Sequence, residues 1–257
     1  MCLLAFAWDT HPHFRLIFAG NRDEYHDRRT AAAHWWADEE NILGGRDLQA
    51  GGTWAALNRE GRFAVVTNYR EMRSPPEGAI SRGGLVSEFI ADHRTPAAFL
   101  QDRVDCFGRY AGFNLIAGVV AGDECALHYA SNRGAGPTSL EAGIHGVSNH
   151  ELNTPWPKLR RLTAGLSALM ERDELEPREL FRLLEDRRPA QDGELPATGL
   201  EIGQERLLSA PFIVNERYGT RSATVILVSR TGQVSFVEKQ YGRDGNVMGL
   251  SRFAFSL

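Results

Sequence analysis

Apolar and polar positions along the chain alternate between short strand-like runs and a few helical stretches. Residues 2–8 are apolar or aromatic throughout, the composition of a buried strand. Asp9-Thr10-His11-Pro12-His13 then reads as a turn, because proline fixes its own φ and disfavours helix in the residue before it. Residues 14–20 form a second apolar run. Hairpin register counted from the turn sets Cys2 opposite about Gly20, and the tetrapeptide Asn21-Arg22-Asp23-Glu24 reads as a turn emerging beside it.

Three further hairpins follow. Residues 53–57 pair with 62–68 across Asn58-Arg59-Glu60-Gly61, and residues 113–120 pair with 125–130 across Ala121-Gly122-Asp123-Glu124. Residues 223–228 pair with 233–238 across a turn holding Thr231-Gly232, and residues 144–148 are a shorter apolar run. Gly44, Gly45, Gly51 and Gly52 point to loops or a close backbone approach. Helical periodicity covers residues 85–91 and, after a break, 96–104; it returns at 156–170 and at 177–185, where Pro177 suits a first turn. Residues 187–203 read as loop. Hairpins interspersed with helix pairs predict an α+β fold of antiparallel sheets covered by helices, since the strict β-α-β order of a doubly wound sheet is absent.

Composition narrows the function. Thirty-three acidic against 29 basic residues leave a net charge of −4, without the basic face that nucleic acid demands. No apolar run is long enough for a membrane span. Three cysteines are too few for a disulfide framework, and their odd number suits a reducing compartment. The first apolar stretch has no basic segment before it and meets Asp9 early, unlike a secretory leader, and Cys2 stands where myristoylation needs glycine. A cytoplasmic location is expected.

Most catalytic signatures are missing. There is no G-x-G-x-x-G after a strand and no P-loop; Gly146-Val147-Ser148-Asn149-His150 lacks the final glycine of a nucleophile elbow; His150-Glu151-Leu152-Asn153-Thr154 lacks the second histidine of a zinc motif. No metal is expected. Cys106 and Cys125 read as buried apolar filler. What remains is a set of small polar groups at strand ends: Cys2, then Asn21, Arg22 and Asp23, then Asn68, Asn149 and Arg221. Each asparagine or aspartate alone suits an ordinary turn. Together they supply a nucleophile, carboxamides for a developing oxyanion, and an acid beside an arginine, the parts of an acyl-transfer site. Removal of Met1 would give Cys2 a free α-amine, whose pKa of about 7.7–8.0 lets it act as base for its own thiol.

The same residues carry a resemblance. Met1-Cys2, Asn21-Arg22-Asp23-Glu24, Gly51-Gly52-Thr53-Trp54, Thr67-Asn68-Tyr69, Gly112-Phe113-Asn114-Leu115-Ile116, Gly146-Val147-Ser148-Asn149, Thr154-Pro155-Trp156-Pro157-Lys158-Leu159 and Tyr218-Gly219-Thr220-Arg221 resemble, in that order, the NRDE family, also called the transport and Golgi organisation protein 2 family. The resemblance runs to Arg252-Phe253-Ala254-Phe255 and implies one domain over residues 1–257. The family is similar to N-terminal nucleophile hydrolases, which implies a four-layer αββα sandwich. By resemblance to the cysteine amidases of that superfamily, Cys2 matches the nucleophile, Asp23 the acid that orients the α-amine, Asn68 and Asn149 the oxyanion-side carboxamides, and Arg221 a late active-site arginine. Where those amidases read Arg-Asn-x-Asp, this chain reads Gly20-Asn21-Arg22-Asp23, so the cation stands after the asparagine instead of before it.

Two functions follow. One is hydrolysis or acyl transfer on a small-molecule amide, with no cofactor required. The alternative, also implied by the family, is a non-catalytic carrier of haem or an acyl-CoA-like ligand. Asn21, Arg22, Arg221 and Trp54 are the expected ligand-binding residues for either function, with Trp35 and Trp36 as further aromatic contributors to a haem cleft.

Overall fold

A computed structural model describes residues 2–122, 125–134 and 136–257. The expectations that concern Met1 and the Asp123-Glu124 part of one turn lie outside the described residues. The chain opens with β1 (Cys2–Trp8), β2 (Phe14–Tyr25), β3 (Thr30–Trp35), β4 (Ile42–Asp47), β5 (Ala55–Asn58) and β6 (Arg62–Asn68). Helices α1 (Gly83–Ala91) and α2 (Pro96–Arg103) precede β7 (Phe113–Val119), β8 (Ala126–Ser131), β9 (Thr138–Ser139) and β10 (Gly143–Val147). Then come α3 (Pro157–Leu169), α4 (Pro177–Leu184), α5 (Ile202–Leu208), β11 (Tyr218–Ser229), β12 (Gln233–Tyr241) and β13 (Val247–Ser256). Among the described residues no helix is long and apolar enough to cross a membrane.

By contacts the chain forms two compact units. The first takes in residues up to 27, 142–148 and 152–255, and its sheet runs β10-β1-β2-β11-β12-β13. Alternation along the strands sends Leu3, Ala5, Ala7, Ile17, Ala19, Ala223 and Val225 to one face, where they pack against Leu159, Leu162 and Leu166 of α3 and Leu180 and Leu184 of α4. A strand period of two thus meets a helical stripe at i, i+3 and i+7. The second unit has a seven-stranded antiparallel sheet ordered β3 to β9, with Leu85, Phe89, Phe99 and Leu100 of α1 and α2 packed on Ala56, Ala64 and Leu115. Gly52 is needed here, because a Cβ on it would lie 2.4 Å from the backbone of Gly83 at the start of α1. Both units bear out the expected class of antiparallel sheets covered by helices.

Several elements differ from expectation. The β1–β2 register pairs Cys2 with Arg22, not Gly20. The ladder continues until the Asp9 N–H meets the Arg15 carbonyl at 2.9 Å, and the buried His11 ring closes the loop by accepting from the His13 and Phe14 N–H groups at 3.1 and 3.3 Å. Asn21-Arg22-Asp23-Glu24 is strand, not turn, because β1 and β11 pair with β2 on both sides and override the turn preference of Asn and Asp. The run expected at 53–57 begins only at Ala55. β3, β4, β13 and α5 were not expected. β4 hides behind Gly44-Gly45, α5 begins inside the stretch read as loop, and no residue of β13 is buried, so it lacks an apolar alternation. Cys106 and Cys125 are half-exposed, not buried, and the Cys125 thiol donates to the Gly122 carbonyl at 3.0 Å.

Candidate functional site

Cys2 opens β1, and its directly paired partner on β2 is Arg22, so both side chains project from the sheet face opposite α3 and α4. Cys2 is 6 % exposed and Arg22 7 %. Burial pushes the Cys2 thiol above its ordinary range, and the nearby Asp23 carboxylate adds to that; the Arg22 guanidinium and a hydrogen bond from the Asp23 backbone pull it back. Arg22 Nη2 lies 3.9 Å from Glu24 Oε2, while its buried Nη1 has no hydrogen-bond partner among the described residues. The cation expected before Asn21 has therefore moved two positions along the strand. Two is the strand period, so it stays on the same face and comes directly opposite the thiol.

Asp23 and Asn21 point the other way, toward the helices. Asp23 is 1 % exposed. Thr220 Oγ1 donates to its Oδ1 at 2.7 Å and accepts from the Ile213 N–H at 2.9 Å, while the Tyr218 hydroxyl donates to the Asp23 carbonyl at 3.0 Å. Burial pushes the Asp23 carboxyl up; the Lys158 ammonium and the Thr220 hydrogen bond oppose it. Asn21 is fully buried, and its Nδ2 donates to the carbonyls of Leu184, at the end of α4, and Pro211, at 2.8 and 2.9 Å. Its amide hydrogens are thus spent on the fold. Arg221, expected just before a strand, is instead the extra residue of a β-bulge within β11 between Thr220, paired with Asp23, and Ser222, paired with Arg22. Its Nη1 donates to the Tyr25 carbonyl at 2.8 Å, and burial lowers its pKa, with the Arg22 cation acting in the same sense. Beyond the end of β2 lies a cavity of about 490 Å³ lined by Tyr25, His26, Asp27, Glu216, Arg217 and Arg243.

Asn68 and Asn149 belong to the second unit, where they meet each other. Asn68 ends β6 as expected. Asn149 is fully buried, holds φ at 62°, and donates from Nδ2 to the Asn68 carbonyl at 3.1 Å; its own carbonyl accepts the Arg70 N–H at 2.6 Å. Left-handed backbone is tolerated by asparagine better than by most residues. The neighbouring loop is fixed by Asn114, which donates to the His150 carbonyl at 2.9 Å and accepts from the Tyr129 hydroxyl at 2.6 Å. One amide hydrogen of Asn149 is committed to this network, and its buried Oδ1 has no hydrogen-bond partner among the described residues. Trp54, in the same unit, is 8 % exposed and its carbonyl accepts the Val66 N–H at 2.8 Å. Trp36 is packed in the core with its Nε1–H on the Gly44 carbonyl at 3.1 Å, and Trp35 lies under the Arg59 guanidinium.

Lys158 and Thr220 were not singled out from the sequence as site residues. A signal existed for Lys158: it stands at i−4 and i−8 from Leu162 and Leu166, on the buried stripe of α3. Thr220 stands beside Arg221 in the Tyr218-Gly219-Thr220-Arg221 motif and showed no signal of its own. Among the described residues no group of three or more His, Cys, Asp or Glu side chains is placed to hold a metal ion.

Comparisons with known proteins bear on the family and the fold. The mouse Transport and Golgi organization 2 homolog is 35 % identical over 259 residues, covering 93 % of this chain and 92 % of that protein. Transport and Golgi organization protein 2 of Drosophila melanogaster is 27 % identical over 263 residues, with 93 % and 92 % covered. Among solved structures, the Caenorhabditis elegans ortholog of N-acylethanolamine-hydrolyzing acid amidase superposes with a TM-score of 0.50 at 10 % identity, covering 88 % of this chain and 92 % of that one, which identifies the fold as that of N-terminal nucleophile hydrolases. A family model described as Transport and Golgi organisation 2 matches residues 1–243, and with these relatives it shows that the chain belongs to that family.

Proposed function

We propose that this protein cleaves, or transfers the acyl group of, a small amide through the Cys2 thiol. The observation that carries the reading is the direct pairing of Cys2 with Arg22 on one sheet face, with Asp23 next along the strand. Once Met1 is removed, the α-amine of Cys2 takes the thiol proton and the sulfur attacks the amide carbonyl. The C–N bond breaks, the amine leaves with the proton, and water or a second nucleophile releases the acyl group from the thioester. Arg22 favours the thiolate that burial opposes. Asp23, by the family resemblance, orients the α-amine. An amide substrate is further supported by the fold shared with an acid amidase that hydrolyses N-acylethanolamines.

The test combines intact mass with turnover. Purified protein should lack Met1 and release amine from members of a panel of N-acyl amides, and Cys2→Ala should abolish that release. Full turnover by Cys2→Ala on every amide cleaved, or active protein that still carries Met1, would sink the reading.

A second reading is carriage of haem or an acyl-CoA-like ligand without turnover. Its support is the buried Arg22 Nη1, which has no hydrogen-bond partner among the described residues and feels the Arg221 cation, and the nearby cavity bearing Arg217 and Arg243, cations suited to propionate or phosphate. Haemin titration separates the versions: without a saturable Soret shift at micromolar protein, the haem version fails.

A further inference from the structure

The strand register that sets Arg22 opposite Cys2 continues across two more strands. Arg22 pairs with Ser222 of β11, and Ser222 pairs with Gln240 of β12. Directly paired residues project from the same face of a sheet. Sulfur, guanidinium, hydroxyl and carboxamide therefore stand in one row, on the face opposite the one where Ala223 and Tyr241 meet the helices. At a strand spacing of about 4.8 Å, Ser222 stands about 10 Å from Cys2 and Gln240 about 14 Å. Further along the same face, Phe6, Phe18, Ile226 and Phe236 form a buried apolar row. A polar row beside such rings is the informative kind of exception.

Ser222 and Gln240 keep hydrogen-bonding capacity that the fold does not use. Ser222 is 8 % exposed, and its hydroxyl makes no hydrogen bond to another described residue. Gln240 is half-buried; its Nε2 donates to Glu238 Oε1 at 3.0 Å, which leaves Oε1 as an acceptor. That oxygen sits where β13 carries only Gly249, since a Cβ there would fall 2.5 Å from it. Glu238 lies buried in the adjoining row, paired with Thr224, whose hydroxyl it accepts at 3.2 Å. We propose that Ser222 and Gln240 form a specificity subsite that holds a neutral hydrogen-bond donor, a hydroxyl, at the far end of the molecule whose carbonyl Cys2 attacks. The use of the subsite rests on the Cys2 hydrolase reading; its capacity to bind does not. A carboxylate there would meet the oxygens of Gln240 and Glu238, and an ammonium would meet the Arg22 cation at the other end of the row.

Iodoacetamides test this without requiring turnover, since the Cys2 thiolate forms a C–S bond and iodide leaves. The protein is treated, at a pH where Cys2 reacts, with reagents bearing hydroxyhexyl, heptyl, carboxyhexyl or aminohexyl groups on nitrogen, and peptide mapping reads the rate at each cysteine. The hydroxyhexyl reagent should label Cys2 about fivefold faster than the heptyl one, the worth of one net neutral hydrogen bond, with no such preference at Cys106 or Cys125. Ser222→Ala and, separately, Gln240→Met should bring that ratio toward unity. Equal rates in wild type, a preference for the carboxylate or ammonium reagent, or an unchanged ratio in either folded variant overturns the proposal. Amides carrying the same groups should follow the same order in kcat/KM. A hydroxyl preference at Cys2 in a protein that cleaves no amide keeps the subsite and rejects the hydrolase reading; amide cleavage without that preference does the reverse.

Discussion

Asn21→Ala removes the carboxamide that donates to the Leu184 and Pro211 carbonyls at 2.8 and 2.9 Å. Leu184 is the last residue of α4, so its carbonyl has no partner within the helix, and the site is fully buried against water. Each lost neutral hydrogen bond contributes about 1 kcal/mol net, and a buried acceptor left unpaired costs about 1–3 kcal/mol. Because a carbonyl oxygen is the more forgiving orphan, the expected loss is about 2–4 kcal/mol. Equilibrium urea unfolding followed by tryptophan fluorescence reads it as a lower midpoint. Asn21→Asp is the sharper companion, since it keeps the shape but turns the donor into a carboxylate facing two carbonyl oxygens. Such a carboxyl has its folded pKa raised, so the variant's deficit should be smallest below the ordinary carboxylate range and grow as pH rises through the raised value. A loss under about 0.5 kcal/mol for Asn21→Ala, within the range of an ordinary surface change, would refute the capping role. Weaker ligand binding with unchanged stability would restore Asn21 to the ligand site.

Three further outcomes are expected. Since burial raises the Cys2 thiol, iodoacetamide at neutral pH should label the half-exposed Cys106 and Cys125 first, with Cys2 reacting only as pH rises. Peptide mapping after timed quenching measures this, and equal rates for all three cysteines would contradict it. Arg22→Met should move the Cys2 alkylation midpoint to still higher pH, because the guanidinium favours the thiolate; an unchanged or lower midpoint would show that Arg22 does not act on the sulfur. Gly146→Ala should cost about 1–3 kcal/mol by overpacking against the Leu4 carbonyl and Leu159, read as a lower urea midpoint.

Much of the site was legible because strand chemistry is local. β6 follows its expected bounds, and the approach of Cys2 to the tetrapeptide required only a hairpin. Which face each residue takes was not legible. The offset between Gly20 and Arg22 as partner of Cys2 depends on how His11 closes a loop, a side-chain event that turn preferences do not encode. The partners of Asn21 lie more than 160 positions away along the chain, so its role as a cap shows in no window of sequence. Lys158 was legible in principle from helical spacing, but a lysine beside a proline reads as surface until its burial is known. β13 shows the converse, a strand paired at the sheet's edge with no buried residue to mark it.

The alternation of β2 has a consequence for interpreting genetic variants in this tetrapeptide. Asn21 supports the helices, Arg22 faces the thiol, and Asp23 turns back toward the helix side, where Thr220 donates to it. Adjacent missense changes should therefore produce unlike phenotypes: loss at Asn21 lowers how much protein a cell retains, since a few kcal/mol suffices to feed quality control, whereas loss at Arg22 should act on the ionisation of the Cys2 thiol. Pooling such variants under one motif would average two separate failures into a single misleading score.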